Sequence, residues 1–583
     1  MKIPSALTDL LARVPLSDKV PGGPGEQVLL ELDLGRGGSE AAPTNPLEAI
    51  RALRTPQLRI LVEHLRKAQT DDSVVGLIGI VHGGGLTMAQ SDELRAAVSA
   101  FRAGGKPTLA FSPSFGEFAD GSVGYHLATA FERVWLQPAA GLGLIGFTGS
   151  GVFLRGAFDK LGLEPQFGQR YEYKSAADTF MRTGFSEAHR EMVTRLVESA
   201  TEQLVADVAA DRGLDVAAVR AAVAAAPLTP EAALDAGLID NVGYRDEAYA
   251  SMRSRVQLEE PTLRYVERHG VSRFSAVLEQ LPKPGSKPRI ALIEAVGGIN
   301  VGHAAPGPGG RSIGSDTLGA ALRAAAKDKN VAGVVLRIAS PGGSAVASDS
   351  IRRDIQQVRA AGKPVVASMA SVAASGGYYI AMPCDRIVAS PGTITGSIGV
   401  LAGKFAIRDA LAKVGVNREL IAGSPRAAMF SSQEPFDEDE WALTEAWLDR
   451  IYEDFTAKAA ADRGMPVEDL RAVAKGRVWT GADALTHGLV DRLGGLGDAI
   501  AEACSLIGTG RDEGQVVPFP KPHPLAAFQP PESSESVAAA ALVGEGPLLW
   551  QGFVDGLAAV TGWQSLGVLS LPPLQLPGLL PVR

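Results

Sequence analysis

The chain has 583 residues, 46% of them hydrophobic, and a formal net charge of −9. At about 100 to 200 residues per domain, that length holds two or three globular units, and the apolar share excludes a disordered chain. The negative balance, with no long Lys/Arg run, excludes nucleic acid as the main partner, because phosphate binding needs concentrated positive charge.

In chain order, residues 1–25 read as an N-terminal arm. Asp9, Arg13, Asp18 and Lys19 interrupt its apolar runs, so no signal peptide is expected. Val28–Leu32 reads as a first strand and Asp92–Phe101 as an amphipathic helix. Lys174 follows in Tyr171-Glu172-Tyr173-Lys174-Ser175, with Phe180 and Met181 nearby. The Pro/Gly/Ser-rich link Leu281–Pro288 precedes a second strand, Ile290–Ile293, and a second amphipathic helix, Ser350–Ala360. Ser375, in Ala-Ser-Gly-Gly-Tyr-Tyr, comes after the run Pro364-Val365-Val366 and before the helix-capable Tyr378–Met382. It reads as a serine at a strand-to-helix elbow, where Gly376 and Gly377 let backbone approach a substrate and leave an N–H free for developing negative charge. Cys384 and Cys504 are too few for a disulfide framework or a cysteine-only zinc site, and read as small buried hydrophobes. Residues 514–536 have linker composition. The uncharged stretch Gly556–Val582 is broken by Pro572, Pro573, Pro577 and Pro581, and falls short of the roughly 20 residues of a spanning helix. It is suited to lying on a membrane surface or packing on the body.

The two strands announce a duplication. Val74–Ile78 parallels Val331–Val335, and Ala103-Gly104-Gly105-Lys106-Pro107 parallels Ala360-Ala361-Gly362-Lys363-Pro364, both at an offset of 257. Pro138, Gly146 and Lys160-Leu161-Gly162 match Pro391, Gly399 and Lys413-Val414-Gly415 at 253. Ala210–Gly213 matches Ala461–Gly464, and Ala233–Asp240 matches Ala484–Asp491, at 251. Collinear blocks with so little drift mean two copies of one α/β unit. Short apolar strands alternating with amphipathic helices favour mostly parallel sheets flanked by helices.

The copies differ where chemistry is expected. Ser122 stands opposite Ser375, but Leu144 stands opposite Ser397 in Thr395-Gly396-Ser397-Ile398-Gly399, and Lys174 stands opposite Ala427. The turn Pro341-Gly342-Gly343 has only a degenerate counterpart near His82–Gly85. A serine hydroxyl needs a base. His126, on the presumed helix after Ser122, and His487, in a turn before Gly488, read as surface or capping histidines. A lysine serves if burial lowers its pKa from about 10.4 towards 7 or 8. The aromatic and apolar neighbours of Lys174 suit that; the bland alternative is a lysine snorkelling from a solvated loop.

Four motifs, Ser340-Pro341-Gly342-Gly343-Ser344, Ala374–Tyr379, Thr395–Val400 and Tyr173–Ala176, closely resemble the signal peptide peptidase A family in its long, duplicated form, serine proteases of the Clp/crotonase superfamily. The resemblance covers about residues 26 to 508. It implies an α/β fold of two tandem Clp/crotonase-like repeats (β-β-α superhelix). It implies Ser375 as nucleophile, Lys174 as general base, Ser397 as the serine that orients the lysine, and the Gly343 and Gly376 N–H groups as oxyanion hole. Acyl transfer of this kind requires no metal or nucleotide cofactor. Ser122 becomes a relic or structural serine. The expected organisation is an arm (1–25), a lysine-bearing repeat (26–280), a linker (281–288), a serine-bearing repeat (289–508) and a Pro-rich linker with apolar tail (509–583).

The resemblance further implies apolar peptide substrates such as signal peptides, and a homotetramer. Long members of the family carry an N-terminal transmembrane helix, which residues 1–25 do not offer, so a peripheral membrane or cytoplasmic location is expected, with Leu548–Val582 as a surface contact. Two other readings stand beside the protease: an inactive oligomeric scaffold at the membrane surface, and a crotonase-like acyl-CoA enzyme.

Overall fold

The computed structural model describes residues 26–36, 38–40, 55–82, 85–269, 287–304 and 311–519. The N-terminal arm, most of the 281–288 link and the apolar tail lie outside these residues.

In the first repeat, the strands are β1 (Val28–Asp33), β2 (Val74–Ile80), β3 (Thr108–Ser112), β4 (Arg133–Leu136), β5 (Glu164–Arg170), β6 (Asn241–Val242) and β7 (Thr262–Tyr265). Six of them form a parallel sheet in the order β6-β4-β3-β2-β1-β7. Side chains alternate between its faces, and both faces are apolar, as a covered parallel sheet requires. Leu30, Leu77 and Ala110 pack beneath the helices Leu58–Gln69 and Met88–Ala103. Leu29, Ile78 and Phe111 pack on the opposite side against Ala248, Tyr249 and Met252 of the helix Arg245–Val256.

The second repeat contains β8 (Arg289–Val296), β9 (Gly298–Asn300), β10 (Ser312–Gly314), β11 (Val331–Ser340), β12 (Val365–Ala374), β13 (Arg386–Ala389), β14 (Ile394–Gly396), β15 (Val400–Ala406), β16 (Val478–Thr480), β17 (Arg492–Leu493) and β18 (Gln515–Pro518). Its sheet runs β16-β14-β12-β11-β8-β18, with β13 beside β12 and β17 beside β13. All its pairings are parallel except β14 with β16. The duplication read from sequence is a duplication of strands: β2 and β11, β3 and β12, β4 and β13, β6 and β17, and β7 and β18 occupy matching places. The last pair departs from the sequence reading. Residues 514–519 have linker composition, yet Val516 and Val517 lie in a strand paired with β8, and Pro518 ends it at the sheet edge, where a missing N–H is tolerated. Cys384 and Cys504 are both buried and unpaired, as expected.

Among the contacts that join the repeats, several lie outside the site. β15 pairs antiparallel with β5, from Val400 opposite Arg170 to Ala406 opposite Glu164. The helix Met88–Ala103 rests on the second repeat, where Asp92 Oδ2 accepts from Gly392 N–H at 3.0 Å and Thr87 Oγ1 lies 2.7 Å from Ser371 Oγ. Buried Arg337 on β11 meets Glu93 at 2.7 Å and Glu40 at 2.9 Å, both from the first repeat. Among the described residues no helix is long and apolar enough to cross a membrane.

Arg337→Met leaves the Glu93 carboxylate, 2% exposed, without its counter-charge. Removing one partner of a buried pair is expected to lower the unfolding free energy by about 3–5 kcal/mol, read by urea titration. A loss below about 1 kcal/mol would show that this cluster does not clamp the repeats.

Candidate active site

β12 ends at Ala374 and the helix Gly376–Ala381 begins two residues later. Ser375 between them has φ +55° and ψ −117°, a conformation that stores about 1–3 kcal/mol in a non-glycine residue. Two bonds hold it there: its N–H donates to Gly396 O and its C=O accepts from Tyr379 N–H, each at 2.9 Å. The elbow expected from sequence is therefore present, and sharper than a plain turn.

Opposite it, β11 shifts register between Ile338 and Ser340 and runs into the turn Pro341-Gly342-Gly343. At Gly342, φ is +110°, and a Cβ there would lie 2.8 Å from both Ser375 Cβ and Gly376 N. Only glycine lets this turn close on the serine. The closure brings the Gly343 and Gly376 amides together: a Cβ on Gly376 would sit 3.1 Å from Gly343 N. Neither N–H has an acceptor among the described residues.

Lys174 enters from the first repeat, just after β5. Its Nζ lies 3.1 Å from Ser375 Oγ, 2.9 Å from Ser397 Oγ and 2.9 Å from Ser397 O. The side chain is buried, and burial alone brings its pKa from 10.5 down to about 7. The solvated-loop alternative fails on that burial. Ser397 is a second non-glycine residue at positive φ, +51°, and its N–H donates to Arg477 O at 2.7 Å.

The first copy's elbow is closed. Ser122 is fully buried, its Oγ accepting from Gly146 N–H at 2.9 Å and facing Gly146 O at 3.3 Å. Val123 follows it where the second copy has Gly376. His126 corrects the surface reading: it is fully buried because both ring nitrogens are satisfied inside, Nδ1 by Ser91 Oγ at 2.9 Å and Nε2 by Asp207 at 2.7 Å. Burial lowers its pKa to about 4, so it stays neutral. Ligand atoms of Asp92, His126 and Asp207 lie within 4.8 Å of one another, but Asp92 is already engaged by Gln203 Nε2 and Gly392 N–H, so the group is a structural network. His487 is a capping residue, ending the helix Gly481–Thr486 with its ring 4.2 Å from Trp479.

With this geometry in view, residues 100–259 and 357–509 each match the model for Peptidase family S49. This chain belongs to that family. It is similar to "Serine protease SPPA, chloroplastic" of Arabidopsis thaliana, 34% identical over 456 residues, covering 77% of this chain and 65% of that protein. It is 30% identical over 455 residues to "Protease 4" of Salmonella typhi, covering 76% of this chain and 71% of that protein. A further "Protease 4", from Haemophilus influenzae, is 26% identical over 465 residues, covering 77% and 72%. The S49 chain is thus a serine-type peptidase that carries its family domain twice, once in each repeat.

The sequence reading missed one part of the site of this S49 chain. Lys475 and Gly476 sit at φ +54° and +80° directly behind Lys174. The available signal was internal: at the 251 offset, Gly476 stands opposite Ala225.

The depressed pKa of Lys174 has a stability consequence. Between pH about 7 and 10.5 the unfolded chain binds the extra proton, so stability rises with pH there, and burial of Lys174 destabilises the fold most below pH 7. Lys174→Met removes that penalty at the loss of about 1 kcal/mol per hydrogen bond. It is expected to raise the unfolding free energy by about 1–3 kcal/mol at pH 6.5, with the gain fading by pH 10. Urea titrations at the two pH values check this, and equal or lower stability at pH 6.5 overturns it.

Proposed function

We propose that this S49 chain is a serine endopeptidase in which Ser375 is the nucleophile and Lys174 the general base, acting on apolar peptides such as remnant signal peptides. The observation that carries the reading is the 3.1 Å approach of a buried lysine amine to a serine hydroxyl held at a strained elbow. Neutral Lys174 takes the Ser375 Oγ proton as the oxygen bonds to the peptide carbonyl carbon. The carbonyl oxygen becomes an oxyanion facing the Gly343 and Gly376 N–H groups, each donor contributing about 10²- to 10³-fold. The C–N bond then breaks, Lys174 gives its proton to the leaving amine, and water resolves the acyl-Ser375 ester with the same lysine as base. Ser397, through Oγ and C=O, fixes the direction of Nζ.

Within this reading each repeat is a Clp/crotonase-like unit, supported by parallel sheets with helices on both faces and by the glycine turn beside a helix start. The proposed domain bounds are 26–280 and 289–508, with β18 added to the second. The acyl-CoA alternative, whose chemistry relies on a Glu or Asp base, is disfavoured because the group facing Ser375 Oγ is the Lys174 amine.

The family's tetrameric assembly also has support within one chain. By the 253 offset, the counterparts of β5 and β15 are residues 417–423 and 147–153, and among the described residues neither stretch has a strand partner. Residues 412–427 are all exposed, including Val416, Leu420 and Ile421. The same pairing, made between copies, joins the second repeat of one chain to the first repeat of the next, a head-to-tail contact of the kind that forms a ring when its rotation closes.

Two outcomes test these readings. A fluorophosphonate probe is expected to label the wild type with a rate that rises through pH about 7, to fail on Ser375→Ala and to label Ser122→Ala normally; labelling that survives Ser375→Ala overturns the assignment. Light scattering is expected to give the mass of four chains for the wild type and a smaller species for Ile421→Asp; a wild-type monomer overturns the ring.

A further inference from the structure

Lys174 and Ser375 are 201 residues apart in the chain, so their contact depends on how firmly one repeat is registered on the other. One short segment of the second repeat touches both Lys174 and its partner Ser397 from behind. Gly476 N–H donates to Ile398 O at 2.8 Å and Ser397 N–H donates to Arg477 O at 2.7 Å, so residues 476 and 477 bracket Ser397 just before β16. On its other side, Gly476 lies flat against Lys174: a Cβ there would be 2.5 Å from Lys174 Cβ, 2.6 Å from Lys174 N and 2.7 Å from Lys174 Cα.

The flanking residues hold the rest of the lysine loop. Lys475 Nζ is 3.5 Å from the Glu172 carboxylate, and Lys475 N–H donates to Tyr452 OH at 3.2 Å. The Tyr452 ring in turn lies 4.7 Å from that of Tyr171. Arg477 stacks over Tyr173 at 4.8 Å and Trp479 at 4.3 Å, and forks onto Glu191 with two bonds of 2.7 Å. Among the described residues, neither Gly476 nor Arg477 hydrogen-bonds to Ser375. In the first copy, the matching positions are Ala225 and Ala226, although Thr229 and Thr480 cap the helices that follow in both copies. The segment thus keeps its course into a capped helix, while Lys475-Gly476-Arg477 stands where the first copy has three alanines.

We propose that Lys475-Gly476-Arg477 is a positioning rail: it sets the distance from the Lys174 amine to Ser375 and covers the amine from water, with Gly476 as the contact that admits no side chain. The inference rests on the Ser375/Lys174 reading. Glu172 and Tyr173 from the lysine's own loop, Lys475 and Arg477 from the rail, and Tyr171, Tyr452 and Glu191 packed against them are titratable groups on this side of the site, and burial alone accounts for the lowered pKa of Lys174. Loosening the rail therefore moves the titration upward, towards 10.5.

The test uses the full chain, with kcat and KM on an apolar peptide ester and fluorophosphonate labelling from pH 6 to 10. A wild type without Ser375-dependent labelling, or without an acid limb near pH 7, overturns the Ser375/Lys174 reading itself. With that limb in place, Gly476→Ala is expected to lower kcat about 10²-fold, as a misplacement near 1 Å does, with KM changed less than about twofold and the acid limb moved upward. Gly362→Ala is the control, since Gly362 has φ +77° but no atom within 4 Å of its Cβ position, and is expected to keep wild-type kcat. Equal losses in both variants, or a Gly476→Ala enzyme with wild-type kcat and acid limb, overturn the rail while leaving the dyad standing. If Gly476→Ala does not fold, Arg477→Met decides: an upward-moved limb with about tenfold lower kcat supports the rail, and an unmoved limb overturns it.

Discussion

The constraint on which the site depends is the removal of one amine from water. A lysine in a dry pocket is unfavourable as a cation, and burial is what lowers the pKa of Lys174. The molecule meets this with structure. β5 is tied to β15, Ser397 is bent to positive φ so that both its oxygens face Nζ, and the 475–477 segment closes the back. Each of these contacts crosses from one repeat to the other. The seam between repeats therefore holds the candidate site, and the sheets on either side are its supports.

The two copies show how duplicated units divide labour. Both keep the parallel sheet, the helices over each face and a serine at the start of the short helix that follows the third strand of the sheet. The second copy holds the glycine turn, a glycine after its serine, and Ser397. The first holds the lysine, and its own serine is sealed by Gly146. A shared backbone thus accepts complementary substitutions without a change of fold, because those substitutions sit in loops carried on strands that the core already fixes.

Much of this was legible in the sequence, for identifiable physical reasons. Strand and helix periods report local burial, and the collinear offsets and the Pro/Gly/Ser-rich link report the duplication, all of which one sequence carries directly. Comparing the copies separated Lys174 from Ala427 and Ser397 from Leu144. What escaped was set by contacts between distant segments. Positive φ at Ser397 and Lys475 has no composition signal, since neither residue favours it. His126 looks like an ordinary polar helix residue until Ser91 and Asp207 are seen to take both ring nitrogens. β18 hides in a proline-rich stretch because an edge strand needs only one side of its backbone paired.

Placing the lysine and the serine in different repeats also has a temporal meaning. During synthesis, the first repeat emerges with a lysine and a sealed serine, and the elbow at Ser375 follows roughly two hundred residues later. The rail comes later still. On the proposed chemistry, a partly made chain has no assembled nucleophile, so hydrolytic competence coincides with completion of the second repeat. On that chemistry, the order of the segments alone keeps a partly made chain inactive.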